Sequence, residues 1–362
     1  MLDSYLFRVF IIPSAVFLSV VFGGSYGTGR EVMEFVSRHG PVGGLLSLAA
    51  VVLTYAVLLF ITFELARKFQ QFEYRGFFGE LLGRFWFLYE IVILTGMVIT
   101  LSVCTTASGA IASSRFGLPA WVGSAALLFI VFVLTYQGRA LVEKTMILAV
   151  TALGVTLVAL LVQLAGEPAE RAAAAFASEP VTWQAWQGGM QYALVNGGFI
   201  PLLLYCARGI RSRGQAGLAA VSAAVFAVIP GLVLHYAFMS AYPEITAEEL
   251  PAYSLISSVG STVLLNVYVV VLFVLIAQTG VGMLQGFLER IDSWHEQRFG
   301  TPLNHLGHGF VAVGMVVGSM ALSSMGIIAL IIAGYTILAA SFILVFAVPL
   351  LTRGLWLIFR RA

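Results

Sequence analysis

A glycine-rich interruption that contains one carboxylate breaks the first apolar segment of the chain. Residues 6–22 are apolar almost throughout and run into Gly23-Gly24-Ser25-Tyr26-Gly27-Thr28-Gly29-Arg30-Glu31. Backbone amides and carbonyls cannot stay unpaired in lipid, so an unwound stretch at membrane depth is tolerated only where protein or a water-filled cavity surrounds it. Such a stretch predicts a binding site in which peptide groups, and the acid beside them, hold a solute or an ion.

A second interruption falls half a chain later, within another apolar segment, at Val195-Asn196-Gly197-Gly198-Phe199-Ile200-Pro201. Thr28 and Glu31 have the spacing of a capping box, and Pro201 suits the first turn of a new helix. Both stretches therefore predict broken spanning helices, which in transporters meet near the bilayer midplane. The alternative is that the glycines only let neighbouring helices pack closely.

We predict that the two interruptions form one substrate site. Amides at the starts of the second half-helices, near Thr28 and Phe199, suit a carboxylate, and the carbonyls that end the first half-helices suit an ammonium or a small cation. For each side chain, packing is the alternative role. The predicted substrate-binding residues are Gly23, Gly24, Tyr26, Gly27, Thr28, Gly29, Tyr192, Asn196, Gly197, Gly198 and Phe199, with Thr105 and Ser108 opposite them.

Two acidic residues at membrane depth are candidates for ion or proton coupling, because ionisable groups are costly there. Glu31 is the first, either as a proton-binding or amine-binding group or as the acid that caps its own helix. Glu90 is the second, and its alternative role is a pair with Lys144 or Arg139 near the cytoplasmic surface.

The composition is that of a polytopic α-helical membrane protein. Hydrophobic residues make up 60% of the chain and charged residues 10%, and the mean hydropathy is +0.98. The first segment has no small-residue cleavage site and is expected to remain as a spanning helix. Cys104 and Cys206 lack metal-ligand spacing, and the net charge of +2, with no basic stripe, gives no indication of a nucleic-acid partner.

Ten apolar segments are long enough to span a bilayer, two of them with breaks. They cover residues 6–38, 42–66, 85–112, 119–137, 141–165, 186–210, 215–240, 259–288, 307–323 and 326–350. Of the 19 Lys and Arg residues, all but Arg30, Arg38, Arg115 and Arg171 fall on one side of this layout. The positive-inside rule then predicts cytoplasmic termini and a multi-pass protein of the plasma (cytoplasmic, inner) membrane.

Five spans in each half require that any resemblance between the halves be an inverted repeat. We predict a single transporter domain over residues 1–362, with one repeat at about 5–165 and the second at about 186–350. An external connector at 166–185 joins them, and residues 351–362 form a cytoplasmic tail. A short external loop, 242–251, is placed where alternating-access folds have a gate.

The first half resembles the YkvI-type family of amino acid permeases. The resemblance rests on Gly-Thr-Gly-Arg-Glu at 27–31 with Glu34-Phe35 and His39-Gly40-Pro41, on Ala107-Ser108-Gly109-Ala110, and on Gly138-Arg139. That family belongs to the amino acid, polyamine and organocation superfamily, so the resemblance implies a LeuT-type five-plus-five fold with broken helices one and six. This chain departs from the usual motif at Tyr26 and Arg30, and no substrate is carried over.

The resemblance also bears on coupling. Sodium-coupled relatives place two adjacent hydroxyls of span eight against the first break, where this chain has Gln278 and Thr279. Proton-coupled relatives place a lysine of span five near the same space; Lys144 lies in that span, with a role as a cytoplasmic anchor as the alternative. We expect proton coupling or exchange, with sodium coupling as the alternative. The predicted coupling residues are Glu31, Glu90, Lys144, Gln278 and Thr279.

The predicted function is secondary active transport of a small amino-acid-like or other small organic solute. The bilayer and the solute are the predicted partners, with no cofactor beyond H⁺ or Na⁺ as coupling ion, and the sequence does not specify an oligomeric state. An intramembrane enzyme and a channel are the rivals. The one dense histidine region, His295 to His308, lies in a predicted cytoplasmic loop, and no repeated pore motif is present.

Overall fold

The computed structural model describes residues 5–21, 23–137, 139–176, 183–259 and 261–360. Within these ranges the side chains of residues 24–25, 136–150 and 167 are outside the description, so the predicted coupling residue Lys144 is placed only by its backbone. All regular secondary structure in the described ranges is helical. The predicted all-α class is confirmed.

The first half of the described chain is built of helices joined by short turns. They are α1 (Phe7–Val21), α2 (Arg30–Phe35), α3 (Pro41–Phe69), α4 (Tyr74–Leu82), α5 (Phe87–Phe116), α6 (Ala120–Gln137), α7 (Arg139–Gln163) and α8 (Glu167–Phe176). A single helical turn, Gly24–Gly27, stands between α1 and α2. α8 occupies the first part of the predicted connector.

The second half continues in the same way. Its helices are α9 (Trp183–Gly197), α10 (Ile200–Gly209, a 3₁₀ helix), α11 (Arg213–Met239), α12 (Pro251–Ser258), α13 (Thr262–Phe299), α14 (His305–Ser323) and α15 (Ile327–Phe359). α15 runs past residue 350, where the last span was predicted to end, so most of the predicted tail is helical. The Lys68 ammonium binds its end, donating to the carbonyls of Leu357 and Arg360, each at 2.8 Å.

Six of these helices are long and apolar enough to cross a membrane. They are α3, α5, α11, α13, α14 and α15, and the number in the described chain rises to eight if each of two bent helix pairs counts as one span. α1 and Ala120–Thr135 of α6 are shorter apolar helices. The multi-pass architecture is therefore confirmed, whereas the count of ten spans stays a prediction.

Buried alanines recur along α11, the helix that packs most extensively on α3. Ala216, Ala220, Ala223 and Ala227 recur at helical spacing on α11, and all are buried. Small side chains let two helix backbones approach closely in a membrane, where packing rather than the hydrophobic effect holds helices together. α11 and α3 form the most extensive helix pair in the described chain, and α9 packs on α3 beside it.

Both predicted interruptions are present. In the first segment Gly23 is extended, and Gly29 has a φ of 77°, a left-handed conformation that favours glycine. In the sixth segment α9 and α10 meet at an angle of 69°. The chain bends there because the α-helix gives way to a 3₁₀ helix, with a turn at Gly198 and Phe199.

Candidate functional site

One cavity runs from the first interruption to one end of the helix bundle. Its volume is about 680 Å³, within the range of roughly 300 to 1,000 Å³ that is typical of small-molecule sites. Gly23 and Glu31 line its buried end, and the exposed residues Glu73 and Glu289 line its mouth. From Thr279 to Glu289 the lining follows α13 for about 15 Å. The mouth lies on the side that carries most of the Lys and Arg, the predicted cytoplasmic side.

The first interruption is held by partners from other helices. The Tyr268 hydroxyl of α13 donates to the Gly27 carbonyl at 2.8 Å, and the Arg30 amide donates to Oγ1 of Thr28 at 3.1 Å. Thr279 faces Gly23, because a Cβ added at Gly23 would lie 3.3 Å from the Thr279 hydroxyl oxygen. The break is thus a fixed feature that contacts α13 and the cavity.

The amides of the second interruption bond within their own segment, and its Gly198 carbonyl accepts from another helix. The amide of Gly198 donates to the Leu194 carbonyl at 3.0 Å, and the amide of Phe199 donates to the Asn196 carbonyl at 3.1 Å. The Tyr89 hydroxyl of α5 donates to the Gly198 carbonyl at 3.0 Å. The Gly198 and Phe199 amides, which were expected to help seat a carboxylate, are therefore engaged within the bend.

A carboxylate and a phenol meet at the buried end of the cavity. The Tyr335 hydroxyl of α15 donates to Oε1 of Glu31 on α2, and both residues line the cavity. The two side chains are 2% and 3% exposed. The ring of Tyr335 stacks on Phe35 of α2, with centroids 5.9 Å apart and an interplanar angle of 7°. The position of the carboxylate is thus fixed by packing as well as by hydrogen bonding.

A second polar cluster stands at the mouth. The Arg290 guanidinium of α13 lies 3.3 Å from Glu90 Oε1 and 4.2 Å from the ring centroid of Tyr74. The Tyr74 hydroxyl donates to Glu90 at 3.2 Å, and Arg75 Nε donates to the same hydroxyl at 3.0 Å. Burial raises the pKa of the Tyr74 phenol, so it remains a donor at neutral pH. Glu90 therefore binds Arg290 and Tyr74, and the side chains of its alternative partners, Lys144 and Arg139, lie outside the described residues.

At the opposite end of the described bundle, hydrogen bonds join the first interruption to the loop before α12. The Arg30 guanidinium, which is 4% exposed, donates to the carbonyls of Thr246 and Glu248, each at 2.9 Å. The amide of Ala252, in the first turn of α12, donates to the Thr28 carbonyl at 3.2 Å. The external loop and α12 are thereby bound to the interruption and to the helix that carries Glu31.

The predicted residues divide into two groups in this conformation. Those that line the cavity are Gly23, Asn196, Phe199, Glu31, Gln278 and Thr279. Those that are described but do not line it are Tyr26, Gly27, Thr28, Gly29, Tyr192, Gly197, Gly198, Thr105, Ser108 and Glu90. Gly24 and Lys144 lie outside the described side chains. The roles of both groups in binding or coupling stay predictions.

Thr105 and Ser108 illustrate the second group. The Thr105 hydroxyl donates to the carbonyl of Leu101, four residues earlier, at 2.7 Å. The Ser108 hydroxyl donates to the Gly123 carbonyl of α6 at 2.9 Å. The Thr105 hydroxyl thus bonds within its own helix and the Ser108 hydroxyl joins α5 to α6, as the packing role named as the alternative requires.

The sequence did not single out Tyr335, Tyr74 or Arg290. Tyr335 carried a usable signal: it is the one phenol in the apolar run Ile327–Phe342, and a buried tyrosine hydroxyl usually has a hydrogen-bond partner. Arg290 and Tyr74 carried no comparable signal, because arginines and aromatic residues recur throughout the predicted cytoplasmic loops.

The histidine region forms hydrogen bonds of its own. His308 Nε2 lies 3.1 Å from Asp292 Oδ1, and His295 Nδ1 lies 2.7 Å from the Thr301 carbonyl. No group of three or more His, Cys, Asp or Glu residues that could hold a metal ion occurs in the described part of the chain.

Solved structures of a manganese transporter from Eremococcus coleocola share the fold. One, in complex with an aromatic bis-isothiourea substituted compound, aligns over 97% of this chain and 78% of its own, with 14% identity and a TM-score of 0.53. A mutant of the same transporter aligns over 95% of this chain and 78% of its own, with 14% identity and a TM-score of 0.50. No protein-family model and no curated protein matches the sequence. The chain therefore has the fold of a membrane transporter.

Proposed function

We propose that this protein is a secondary active transporter that moves a small organic solute, such as an amino-acid-like compound, by alternating access. One observation carries the proposal: a solute-sized cavity begins at a broken helix and at Glu31, and its described lining leads to one face of the bundle. Toward the other face, Arg30 bonds to the external loop. A site open to one side at a time is what alternating access requires.

The proposal includes orientation and coupling. The cavity mouth lies on the basic side, so the described conformation is inward-facing if both termini are cytoplasmic. We propose that protons drive transport, through Glu31, in the plasma (inner) membrane. The fold and the buried carboxylate support this reading, as does the resemblance to YkvI-type amino acid permeases.

Sodium coupling is the second candidate. The Thr279 hydroxyl lies against Gly23 at the break, where a cation could contact backbone carbonyls as well. Gln278 adds an amide to the same lining. Thr279 is the single serine or threonine that α13 places beside Gly23, which favours protons as the first choice.

A two-stage experiment tests the function. Purified protein is first screened by thermal shift against amino acids, amines, organic acids and Mn²⁺, because a ligand that binds the folded state raises its melting temperature. Each hit is then tested for uptake into proteoliposomes under a pH gradient or a sodium gradient. We expect saturable uptake of an organic solute that responds to the pH gradient.

Other outcomes would contradict parts of the proposal. Sodium-driven accumulation without pH dependence would exclude proton coupling and support the second candidate. Single-channel currents in place of saturable uptake would identify a channel. Uptake of Mn²⁺ with no organic hit would overturn the proposed solute class.

A further inference from the structure

We infer that an anionic phospholipid binds at the predicted cytoplasmic end of the bundle, where α11 begins and α15 ends. Its headgroup lies at a cluster of arginines that also presents two exposed aromatic rings. This cluster, the basic corner, consists of Arg211, Arg213, Arg353, Arg360, Trp356 and Phe359. The inference goes beyond the proposed transport function and does not depend on the identity of the solute.

The last turns of α15 carry a face that is both basic and aromatic. Arg353, Trp356 and Arg360 follow one another at spacings of three and four residues, which places them on one side of a helix. All three are exposed, as is Phe359. Arginine and aromatic side chains thus stand together at the surface.

Arg213, the first residue of α11, reaches the same face. Its guanidinium carbon lies 4.6 Å from the ring centroid of Phe359 and 5.7 Å from that of Phe60 on α3. The guanidinium carbon of Arg360 lies 4.8 Å from the ring centroid of Trp356. An arginine over an aromatic ring is held by cation–π attraction, and its planar fork of N–H donors matches the geometry of a phosphate.

The end of α15 is fixed on α3. The Lys68 ammonium donates to the carbonyls of Leu357, at 2.8 Å, and Ile358, at 3.2 Å. A Cβ at Gly354 would lie 3.0 Å from the Leu65 side chain, so the two helices pack closely there. The basic corner is therefore a preorganised surface, which lowers the entropy cost of binding a ligand.

Acidic side chains leave the charge of the basic corner uncompensated. None of its four arginines forms an ion pair with a described residue. Glu64 on α3 binds Arg67 through two hydrogen bonds of 2.8 Å, and Glu80 of α4 lines a small pocket with Leu357. α11 begins at this corner, and the positive end of its dipole adds to the local potential. The corner therefore favours an anion.

The basic corner lies at the level of lipid headgroups. α15 has 33 residues, whereas about 20 residues cross the hydrocarbon core, so its last turns extend beyond the core. Tryptophan is typical of the membrane–water interface, and basic residues are typical of its cytoplasmic side. The cytoplasmic leaflet carries anionic lipids, which attract such residues. A lipid of that leaflet is therefore the ligand with direct access to this surface.

An anionic phospholipid matches each of these features. Its phosphate accepts charge-assisted hydrogen bonds from the guanidinium groups of Arg213 and Arg360, and its acyl chains contact the rings of Trp356 and Phe359. A zwitterionic phospholipid would bring an ammonium group to the same cluster, an arrangement that discriminates against it. A soluble phosphate has no apolar part to cover the exposed rings.

Lipid binding to the purified, delipidated protein in detergent tests the inference. The probes are dioleoylphosphatidylglycerol, dioleoylphosphatidylcholine and glycerol 3-phosphate, the last as a soluble headgroup. Native mass spectrometry counts the bound lipid and measures its Kd, and thermal unfolding reports the same binding as a rise in melting temperature. We expect phosphatidylglycerol to bind about tenfold more tightly than phosphatidylcholine, and glycerol 3-phosphate not to compete with it.

Matched variants assign the site. Arg213→Gln and Arg360→Gln should each raise the Kd for phosphatidylglycerol roughly fivefold, because each removes one positive charge from beside the headgroup. Arg213→Lys keeps the charge but loses the planar fork, and its Kd should lie between those of Arg213→Gln and the parent. Arg298→Gln is the control, since Arg298 is an exposed arginine in the last turn of another helix, α13. Its Kd should equal that of the parent.

Three results would overturn the inference. The first is equal affinity for the two phospholipids, or no binding of either. The second is a Kd that Arg213→Gln and Arg360→Gln leave unchanged in a folded protein, or that Arg298→Gln raises as much as they do, which would show a general effect of charge. The third is displacement of phosphatidylglycerol by glycerol 3-phosphate, which would identify a site for a soluble phosphate.

Fluorescence locates the lipid in a bilayer. The protein has six tryptophans, so the contribution of Trp356 is the difference between the parent and Trp356→Phe. In nanodiscs of mixed phosphatidylglycerol and phosphatidylcholine, one of them brominated, we expect Trp356 to be quenched at a lower mole fraction of the anionic lipid. Arg213→Gln combined with Arg360→Gln should remove this difference. Equal quenching by the two lipids in the parent would show that charge does not select the lipid at this corner, and the inference would fail.

Discussion

At the scale of single residues, the contact between Tyr335 and Glu31 is the one with the clearest energetic consequence. Tyr335→Phe removes the donor to a buried carboxylate but keeps the ring that stacks on Phe35. We expect a loss of about 1 to 3 kcal/mol in stability, because a buried charged acceptor loses a hydrogen bond. Thermal unfolding in detergent measures the effect.

The control for this change is Tyr253→Phe. The Tyr253 hydroxyl donates to the Ser114 carbonyl at 3.3 Å. This bond lies at the protein surface, where water can replace it when the hydroxyl is removed. We expect the melting temperature of this variant to match the parent. Equal melting temperatures for Tyr335→Phe and Tyr253→Phe would show that the buried phenol contributes no stability.

The residue scale also shows where prediction from sequence stops. Glycine spacing located both breaks because the conformation of a turn is set by neighbouring residues. Tyr335, which binds Glu31, and Arg290, which binds Glu90, lie 304 and 200 residues away from them in the chain. Many tyrosines and arginines could have filled those roles, and only the packing of α15 and α13 selects among them.

Hydroxyl groups are hard to assign from sequence for a related reason. A serine or threonine in a helix can donate to a carbonyl of the preceding turn, so its presence at membrane depth requires no ligand. Thr105 does this. Ser108 donates across to α6, in a contact that depends on the close approach of Gly123.

At the scale of helices, the turn between the first interruption and α2 depends on Gly29. Its φ is 77°, and a Cβ there would lie 2.5 Å from the Phe238 ring. Gly29→Ala should therefore destabilise the fold by about 1 to 3 kcal/mol, since strained backbone and a steric overlap act together. The melting temperature should fall accordingly.

Gly318→Ala, in contrast to Gly29→Ala, is not expected to lower the melting temperature. Gly318 lies within α14, and an added Cβ there would meet nothing within 4 Å. Alanine is the better helix former by roughly 0.5 to 1 kcal/mol, so this variant should equal or exceed the parent in melting temperature. Parallel behaviour of Gly29→Ala and Gly318→Ala would show that the turn at Gly29 tolerates a side chain.

At the scale of the whole molecule, the contacts of Arg30 predict which side of the membrane reaches the cavity. A cysteine at Thr279 serves as a reporter, because this residue lines the cavity while the native Cys104 and Cys206 are buried. We expect a membrane-impermeant thiol reagent to label Thr279→Cys from the cytoplasmic side in inverted vesicles. Labelling from the outside should be slow.

Adding Arg30→Ala to the Thr279→Cys variant should increase labelling from the outside. The substitution removes the bonds between Arg30 and the external loop. If this destabilises the inward-open conformation by about 1.4 kcal/mol, the ratio of outward-open to inward-open protein rises tenfold. External labelling should increase by at least that factor. Arg38→Ala is the control, because the Arg38 side chain is 52% exposed and its described contact is with Glu34 alone. If Arg30→Ala and Arg38→Ala increase external labelling equally, the effect comes from a general loss of stability and not from the loss of the bonds between Arg30 and the external loop.

The tether of Lys68 to the end of α15 has a consequence for biogenesis. Its ammonium binds a carbonyl 292 residues further along the chain. Because translation proceeds from the N-terminus, this contact can form only after the last turn of α15 has been synthesised. The first half of the bundle is therefore inserted before Lys68 can bind the carbonyls at the end of α15, so its ammonium needs water or another partner until α15 is in place.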